Sequence, residues 1–265
     1  VVFLAAATVG GIHANDTRPA DFLYDNLAIK ANVIHAAHQF AVAKLMFLGS
    51  ACIYPRLAAQ PMAEDALLTG PLEPTNEWYA VAKIAGIKLC QAYRRQHGCD
   101  FISAMPNNLY GPGDNFDLET AHVIPALMRK LVEAKAAGRN TVEVWGSGEQ
   151  IRNWTYVDDI VRGTILAAEK IDDGTPVNLG TMERTRVIDA VHMIMKEMGH
   201  EARIRLLPDM PTGPYNRVCD NRRARDLLGW EPEVNFQEGV RRTIGWYREN
   251  KTPREVSSIL SHMLT

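Results

Sequence analysis

Residues 44–50 read Lys44-Leu45-Met46-Phe47-Leu48-Gly49-Ser50, and residues 100–105 read Asp100-Phe101-Ile102-Ser103-Ala104-Met105. Each is an apolar run of strand length, and the first stops at Gly-Ser. Between them lie a loop over 53–76, with four prolines and one glycine, and a helix-patterned stretch over 77–97. Strand, helix, strand at this rhythm predicts a βαβ unit and a parallel sheet. Towards the N-terminus, residues 1–7 form another apolar run, as expected of a strand buried on both faces. A Gly/Asn/Pro-rich loop over 10–19 separates it from a predicted helix over 20–39. There Leu23, Leu27, Ala31, Ile34 and Ala37 recur at spacings of three and four. Beyond a turn-rich loop over 106–116 the pattern is more mixed. Helices are expected over 121–137, 158–169, 186–198, 221–228 and 236–249, and strands over 142–145, 177–179 and 203–207, with a polar tail at the end. No internal repeat is present. An α/β layer is followed by a smaller α/β lobe, and no Pro/Gly/Ser linker divides them, so the two are expected to interleave.

Composition narrows the function classes. The chain has 265 residues, 46% of them apolar and 23% charged. That is ordinary for a globular protein and excludes disorder, collagen and coiled coil. A formal charge of −2 gives no electrostatic reason to expect nucleic acid or an anionic membrane as partner. No apolar run approaches the roughly 18 residues of a membrane span. The four cysteines, Cys52, Cys90, Cys99 and Cys219, make no CxxC, so a reduced, cytoplasmic setting is expected and no metal site. The chain opens on Val1-Val2-Phe3-Leu4-Ala5-Ala6-Ala7 without a methionine. It lacks the basic region of a signal peptide and reads as a strand that starts in mid-fold.

The strongest chemical motif is Tyr79-Ala80-Val81-Ala82-Lys83. A spacing of four places Tyr79 and Lys83 on one helical face, one turn apart. A free Tyr, with a pKa of about 10, exchanges protons poorly near neutrality. A cation one turn away favours the phenolate and is expected to lower that value, making the pair a general acid or base. Ser50 stands at the C-terminal end of the preceding strand, the edge where ligands sit in a parallel sheet. There it can share a substrate oxygen with Tyr79. Alone, YxxxK is as readily two surface side chains.

The order of these parts, strand-end Ser, long loop, then YxxxK opening a helix, resembles the extended branch of the short-chain dehydrogenase/reductase superfamily. So do Asn108-Leu109-Tyr110-Gly111-Pro112, and the stretch from Gly146-Ser147-Gly148 to Tyr156-Val157-Asp158-Asp159. More narrowly, four stretches resemble the GDP-L-fucose synthases, which are 3,5-epimerase/4-reductases. They are residues 4–12, Pro19-Ala20-Asp21-Phe22, residues 47–55 with Ser50-Ala51-Cys52-Ile53-Tyr54-Pro55, and His122-Val123-Ile124-Pro125-Ala126-Leu127. The resemblance implies a Rossmann-like doubly wound parallel sheet. Residues 1–110 would be the remainder of the dinucleotide-binding domain, and residues 111–265 mainly a sugar-nucleotide lobe. It also implies that the chain lacks the family's N-terminal βαβαβ half. With that go the glycine-rich pyrophosphate turn and the residue that sorts NAD from NADP, although the family favours NADP(H).

The resemblance also assigns roles. Ser50, Tyr79 and Lys83 form the reduction triad. Cys52 and His122 form the epimerisation pair, the Cys as base and the His as acid. Leu48, Gly49, Ser50, Ala51, Lys83, Pro106, Asn107, Asn108, Leu109 and His122 line the cofactor, and Lys130, Trp145, Arg152, Asp209 and Arg217 contact the substrate. By themselves these residues read more plainly: a Cys after a strand as a small buried hydrophobe, a helix-start His as a surface or capping residue, Trp145 as core, Arg152 as a solvated charge. The chain departs from the family in carrying Ala51 for Ser, Asn107 for Thr, Lys130 for Arg, and Asn153-Trp154 in an otherwise acidic-aromatic stretch. A homodimer through the helices near 20–39 and 77–97 is implied. Two alternatives keep part of this reading: another nucleotide-sugar epimerase or dehydratase that regenerates its cofactor internally, and a non-catalytic sugar-nucleotide-binding protein.

Overall fold

A computed structural model of the chain describes residues 1–250. The predicted βαβ unit is its backbone. β1 (Val2–Leu4), β2 (Leu45–Leu48) and β3 (Phe101–Pro106) form a parallel sheet with β8 (Val177–Leu179), in the order β1-β2-β3-β8. Leu4 faces Phe47, Leu48 faces Ala104, and Ala104 faces Val177 in register. All six residues of β3 are buried, as a central parallel strand requires. β1 corrects the sequence reading. It is only three residues long and lies at the sheet edge among the described residues, leaving Phe3 49% exposed rather than buried on both faces.

α2 (Pro19–Gln39) and α3 (Glu77–His97) cross over from β1 to β2 and from β2 to β3. Proline opens α2 in the first turn, where its missing N–H costs nothing. α3 stops at Gly98, whose φ of +68° is the left-handed cap that glycine adopts without strain. Ile34 and Ala37 of α2 and Ile84, Ile87 and Cys90 of α3 pack with Leu45, Phe47 and Phe101 of the sheet into one core. Gly86 fixes how closely α3 lies on β2: a Cβ there would come within 2.6 Å of the Phe47 ring.

The second lobe is built from small sheets. β5 (Thr141–Trp145) pairs in parallel with β10 (Arg203–Leu207). β6 (Ile151–Arg152) lies between β9 (Thr185–Arg186) and β11 (Asn216–Arg217), and β4 (Asn108–Tyr110) pairs with β7 (Trp154–Tyr156). The helices α4 (Val123–Ala136), α6 (Val187–Met198) and α8 (Phe236–Asn250) share a core with these strands. α5 (Val157–Lys170) and α7 (Arg222–Leu228) cover the other face of the main sheet around the fully buried Trp230. Five short strands, β4, β6, β7, β9 and β11, and the six-residue helix α1 (Ile12–Thr17) fall where the sequence predicts loop or helix. Elements of two to six residues carry too little periodicity to be read. The polar tail predicted after the last helix lies outside the described residues. No helix among the described residues is long and apolar enough to cross a membrane.

Candidate active site

The C-terminal ends of β2 and β3 open onto a cavity of about 520 Å³. That is where a parallel sheet leaves room for a ligand. Its walls come from four directions: the turn after β2 with Ser50 and Cys52, the start of α3 with Tyr79, the head of α4 with His122, and β6 and β11 with Arg152 and Arg217. Gly49, Ala51 and residues 106–109 complete the strand-end floor.

Local structure explains each position. Ser50 caps a 3-10 turn over Ala51–Ile53, its Oγ accepting the Cys52 N–H at 3.3 Å. This turn points Cys52 back towards the sheet end. Lys83, one turn into α3 beyond Tyr79, is 3% exposed and donates from Nζ to the Leu48 carbonyl at 2.6 Å. The same ammonium lies 5.6 Å from the centre of the Tyr79 ring. One of its three N–H donors is thus spent on the strand end. His122 is the residue before the first turn of α4 and faces the cavity.

The electrostatics run partly against the sequence expectation. Burial pushes Tyr79 above the ordinary phenol range, not below it. The neighbouring Cys52 adds to the effect of burial, and Lys83 is itself lowered to about 8 by burial. Burial also pushes the Cys52 thiol up, and the Ser50 hydroxyl and the charges of Arg217 and Lys83 pull it back. His122 is pushed down by the protein that crowds its ring. Arg152 is lowered to about 10 by burial and by the charge of Arg217. The two guanidiniums give this wall of the cavity positive charge.

Arg217 donates to the carbonyls of Ala51 (3.2 Å), Tyr54 (3.2 Å) and Pro55 (3.0 Å). Arg152 donates to the Thr212 carbonyl at 2.9 Å. Asn107 is tied down rather than free, accepting from the Thr155 hydroxyl at 2.8 Å and donating to the Asn153 carbonyl at 3.2 Å.

Of the predicted site residues, Gly49, Ser50, Ala51, Cys52, Tyr79, Pro106, Asn107, Asn108, Leu109, His122, Arg152 and Arg217 line this one cavity. Lys83 and Leu48 stand directly behind it. Lys130, Trp145 and Asp209 do not line it. Lys130 instead lies 5.7 Å over the Trp145 ring, and Asp209 is exposed on the turn after β10. Several lining residues escaped the sequence reading, three polar ones among them. Asp114, in the Gly-Pro-Gly-Asp turn after β4, is raised to about 6 by burial. Asn15 and Asn76 each keep a buried side-chain oxygen without a hydrogen-bond partner. The Gly-Pro turn signals a loop, but nothing in the sequence says what that loop faces.

Comparisons with known proteins bear on the family and the fold. Residues 1–180 match the model of the NAD dependent epimerase/dehydratase family. GDP-L-fucose synthase 1 of Arabidopsis thaliana is 48% identical over 249 residues, covering 94% of this chain and 77% of the relative. GDP-L-fucose synthase of Escherichia coli (strain K12) is 48% identical over 259 residues, covering 94% and 80%. Among solved structures, a GDP-L-fucose synthetase from Naegleria fowleri bound to NADP superposes with a TM-score of 0.85 at 26% identity, covering 94% of this chain and 77% of that one. A GDP-6-OMe-4-keto-L-xylo-heptose reductase from C. jejuni gives 0.87 at 29%, covering 94% and 82%. With Ser50 and Tyr79 on one strand-end cavity, Lys83 tied to the Leu48 carbonyl behind it, and relatives of this identity over most of its length, the chain belongs to the NAD dependent epimerase/dehydratase family, among its GDP-L-fucose synthases.

Proposed function

We propose that this chain carries out NADPH-dependent 3,5-epimerisation and 4-reduction of GDP-4-keto-6-deoxy-D-mannose to GDP-L-fucose. One observation carries the reading. The groups for two different proton tasks, Cys52 with His122 and Tyr79 with Ser50 and Lys83, converge on a single cavity.

The residues present fit the nicotinamide-ribose end of NADP(H). Lys83 has donors left beyond the one on Leu48. The strand ends at 48–51 and 106–109 lie side by side, and a Cβ at Gly49 would press within 3.3 Å of the Ala104 carbonyl, so the floor there stays flat. Leu48, Gly49, Ser50, Ala51, Lys83, Pro106, Asn107, Asn108, Leu109 and His122 would hold it. When bound, the cofactor supplies the hydride that reduces C4.

The chain's own residues handle the protons. Cys52 as thiolate removes the acidic protons at C3 and C5, next to the ketone. His122 returns protons on the opposite face. Tyr79 gives its proton to the oxygen at C4, with Ser50 sharing that oxygen and Lys83 holding charge behind the ring. Arg152 and Arg217 take the diphosphate. Lys130, Trp145 and Asp209 are retained as substrate contacts that a closed, ligand-bound form would have to bring in. In this reading residues 1–110 serve the cofactor and 111–265 mainly the sugar nucleotide. The enzyme works in the cytoplasm as a homodimer, supported by the exposed Tyr24 on α2 and Trp78 and Val81 on α3.

Incubation with GDP-4-keto-6-deoxymannose and NADPH tests the proposal. Stoichiometric NADPH oxidation with deuterium from solvent at C3 and C5 is expected. Exchange or interconversion without net NADPH oxidation overturns it in favour of an epimerase or dehydratase that recycles its cofactor. Binding of GDP with no binding of NADPH leaves only a sugar-nucleotide-binding protein.

A further inference from the structure

Asn15 takes no part in the reaction as described. It lies in α1, is 6% exposed and lines the cavity. Its amide is held in one orientation. Nδ2 donates to the Gly10 carbonyl at 2.8 Å and to the Gly11 carbonyl at 3.1 Å, and a flip would set Oδ1 against both oxygens. Oδ1 is left as a buried acceptor with no hydrogen-bond partner. Buried acceptors are nearly always paired, so this one calls for a donor from outside the chain. Asn76, at the turn that opens α3, carries a second unpartnered oxygen on the same cavity.

The neighbours of α1 place this acceptor along the substrate. On one side, a Cβ at Gly213 would lie 3.4 Å from Ile12 Cδ1 and 3.7 Å from Arg152 Nη2, so α1 begins beside an arginine assigned to the diphosphate. On the other side, α1 packs on the 3-10 turn Pro74–Asn76, and Tyr79 follows on α3. Asn15 therefore stands between the group that holds the diphosphate on C1 and the group that serves the oxygen on C4. Two paths round the hexose join those carbons. One runs through the ring oxygen and C5 with its methyl group, and offers no N–H or O–H. The other runs through C2 and C3, each with a hydroxyl. C3 is inverted and C4 reduced in the reaction, whereas C2 is untouched. We propose that Asn15 Oδ1 accepts a hydrogen bond from the C2 hydroxyl, holding the ring by its one unchanging donor while C3 and C5 invert. The proposal rests on the sugar-nucleotide reading above and makes Asn15 a specificity-determining residue of that same site. A site built around a substrate hydroxyl rejects the analogue that lacks it.

The test is calorimetric titration with GDP, GDP-mannose, the 2-deoxy form of GDP-mannose, and NADPH. GDP-mannose carries the C2 hydroxyl but no ketone, so it binds without being reduced. In the wild type, loss of the C2 hydroxyl is expected to weaken binding roughly five- to fiftyfold. Asn15→Ala should weaken GDP-mannose by a similar factor, bind the 2-deoxy form as the wild type does, and leave GDP and NADPH within about twofold. Asn76→Ala should still tell the two sugars apart. A wild type that binds both sugars alike overturns the proposal, and so does an Asn15→Ala variant that still tells them apart. Equal weakening of NADPH and GDP-mannose overturns it too, since the amide would then serve the cofactor or only hold α1 in place. Should Asn15→Ala fail to fold, the side-chain amide signals of nitrogen-15-labelled wild type decide. An asparagine pair other than the one lost in Asn76→Ala must shift with GDP-mannose and stay with the 2-deoxy form, or the proposal falls. Recognition of the C2 hydroxyl in a chain that does not oxidise NADPH on GDP-4-keto-6-deoxymannose overturns the proposed function and leaves Asn15 standing. NADPH oxidation without that recognition does the reverse.

Discussion

Cys52 and His122 are displaced in opposite senses, the thiol upwards and the imidazole downwards, and both by loss of water. Between the two values Cys52 is mostly thiol and His122 mostly neutral, so the working thiolate–imidazolium form is a small but constant fraction and epimerisation has a broad, low pH plateau. Below the lower value both groups hold protons and no base is left. Above the upper value both have lost them and no acid is left. Solvent deuterium entry at C3 and C5 is expected to be flat between an acid limb under about 6.5 and an alkaline limb over about 8.5, the ordinary His and Cys values. Limbs falling inside that window count against the assignment. Replacing Cys52 by Ser should slow deuterium entry by about a hundredfold or more, the usual weight of a positioned base, and slow hydride transfer to an already epimerised substrate much less. Equal loss of both would show that Cys52 only shapes the site.

At the scale of elements, α3 is the part that the site depends on most. It carries Tyr79 and Lys83, and its depth is set by Gly86 against Phe47. Gly86→Ala is expected to destabilise the chain by about 1–3 kcal/mol, the range for overpacking a close contact. Urea denaturation reads this as a lower midpoint at unchanged slope. Because α3 must lift off β2 to admit the methyl group, the same variant should slow reduction although it touches no ligand. This helix was fully legible in the sequence, from Glu77 to His97, because its apolar spacing and its Gly98 stop agree. The two- and three-residue strands that aim Arg152, Arg217 and Asn108 were not, since their pairing partners lie far away along the chain.

At the scale of the molecule, Arg217 links the two lobes. It sits on β11 and donates to three carbonyls in the turn after β2. Arg217→Met removes a charged hydrogen-bond donor, worth about 1.5–3 kcal/mol. GDP should therefore bind roughly ten- to a hundredfold more weakly, with NADPH binding changed far less. Parallel loss of both affinities in calorimetric titration would mean that the lobes had come apart. The homodimer is tested by equilibrium sedimentation. Tyr24 is 74% exposed and Trp78 43%, and charge at both, as Tyr24→Lys with Trp78→Lys, should halve the mass observed for the wild type. A wild type that sediments as a monomer at micromolar concentration removes the dimer from the account.

The sequence by itself determined the βαβ rhythm, the helix that brings Tyr79 and Lys83 to one face, and the strand-end position of Ser50, because those depend on spacing along a few turns. It also held the triad and the Cys–His pair through their resemblance to a family. Only the tertiary structure decided that Cys52, His122, Arg152 and Arg217 share a cavity with them, and that Lys130, Trp145 and Asp209 stand away from it. It alone reversed the expected shift of Tyr79. Burial is the reason. Proximity between distant segments and removal of water are properties of the packed chain, and they decide which charges a side chain can hold.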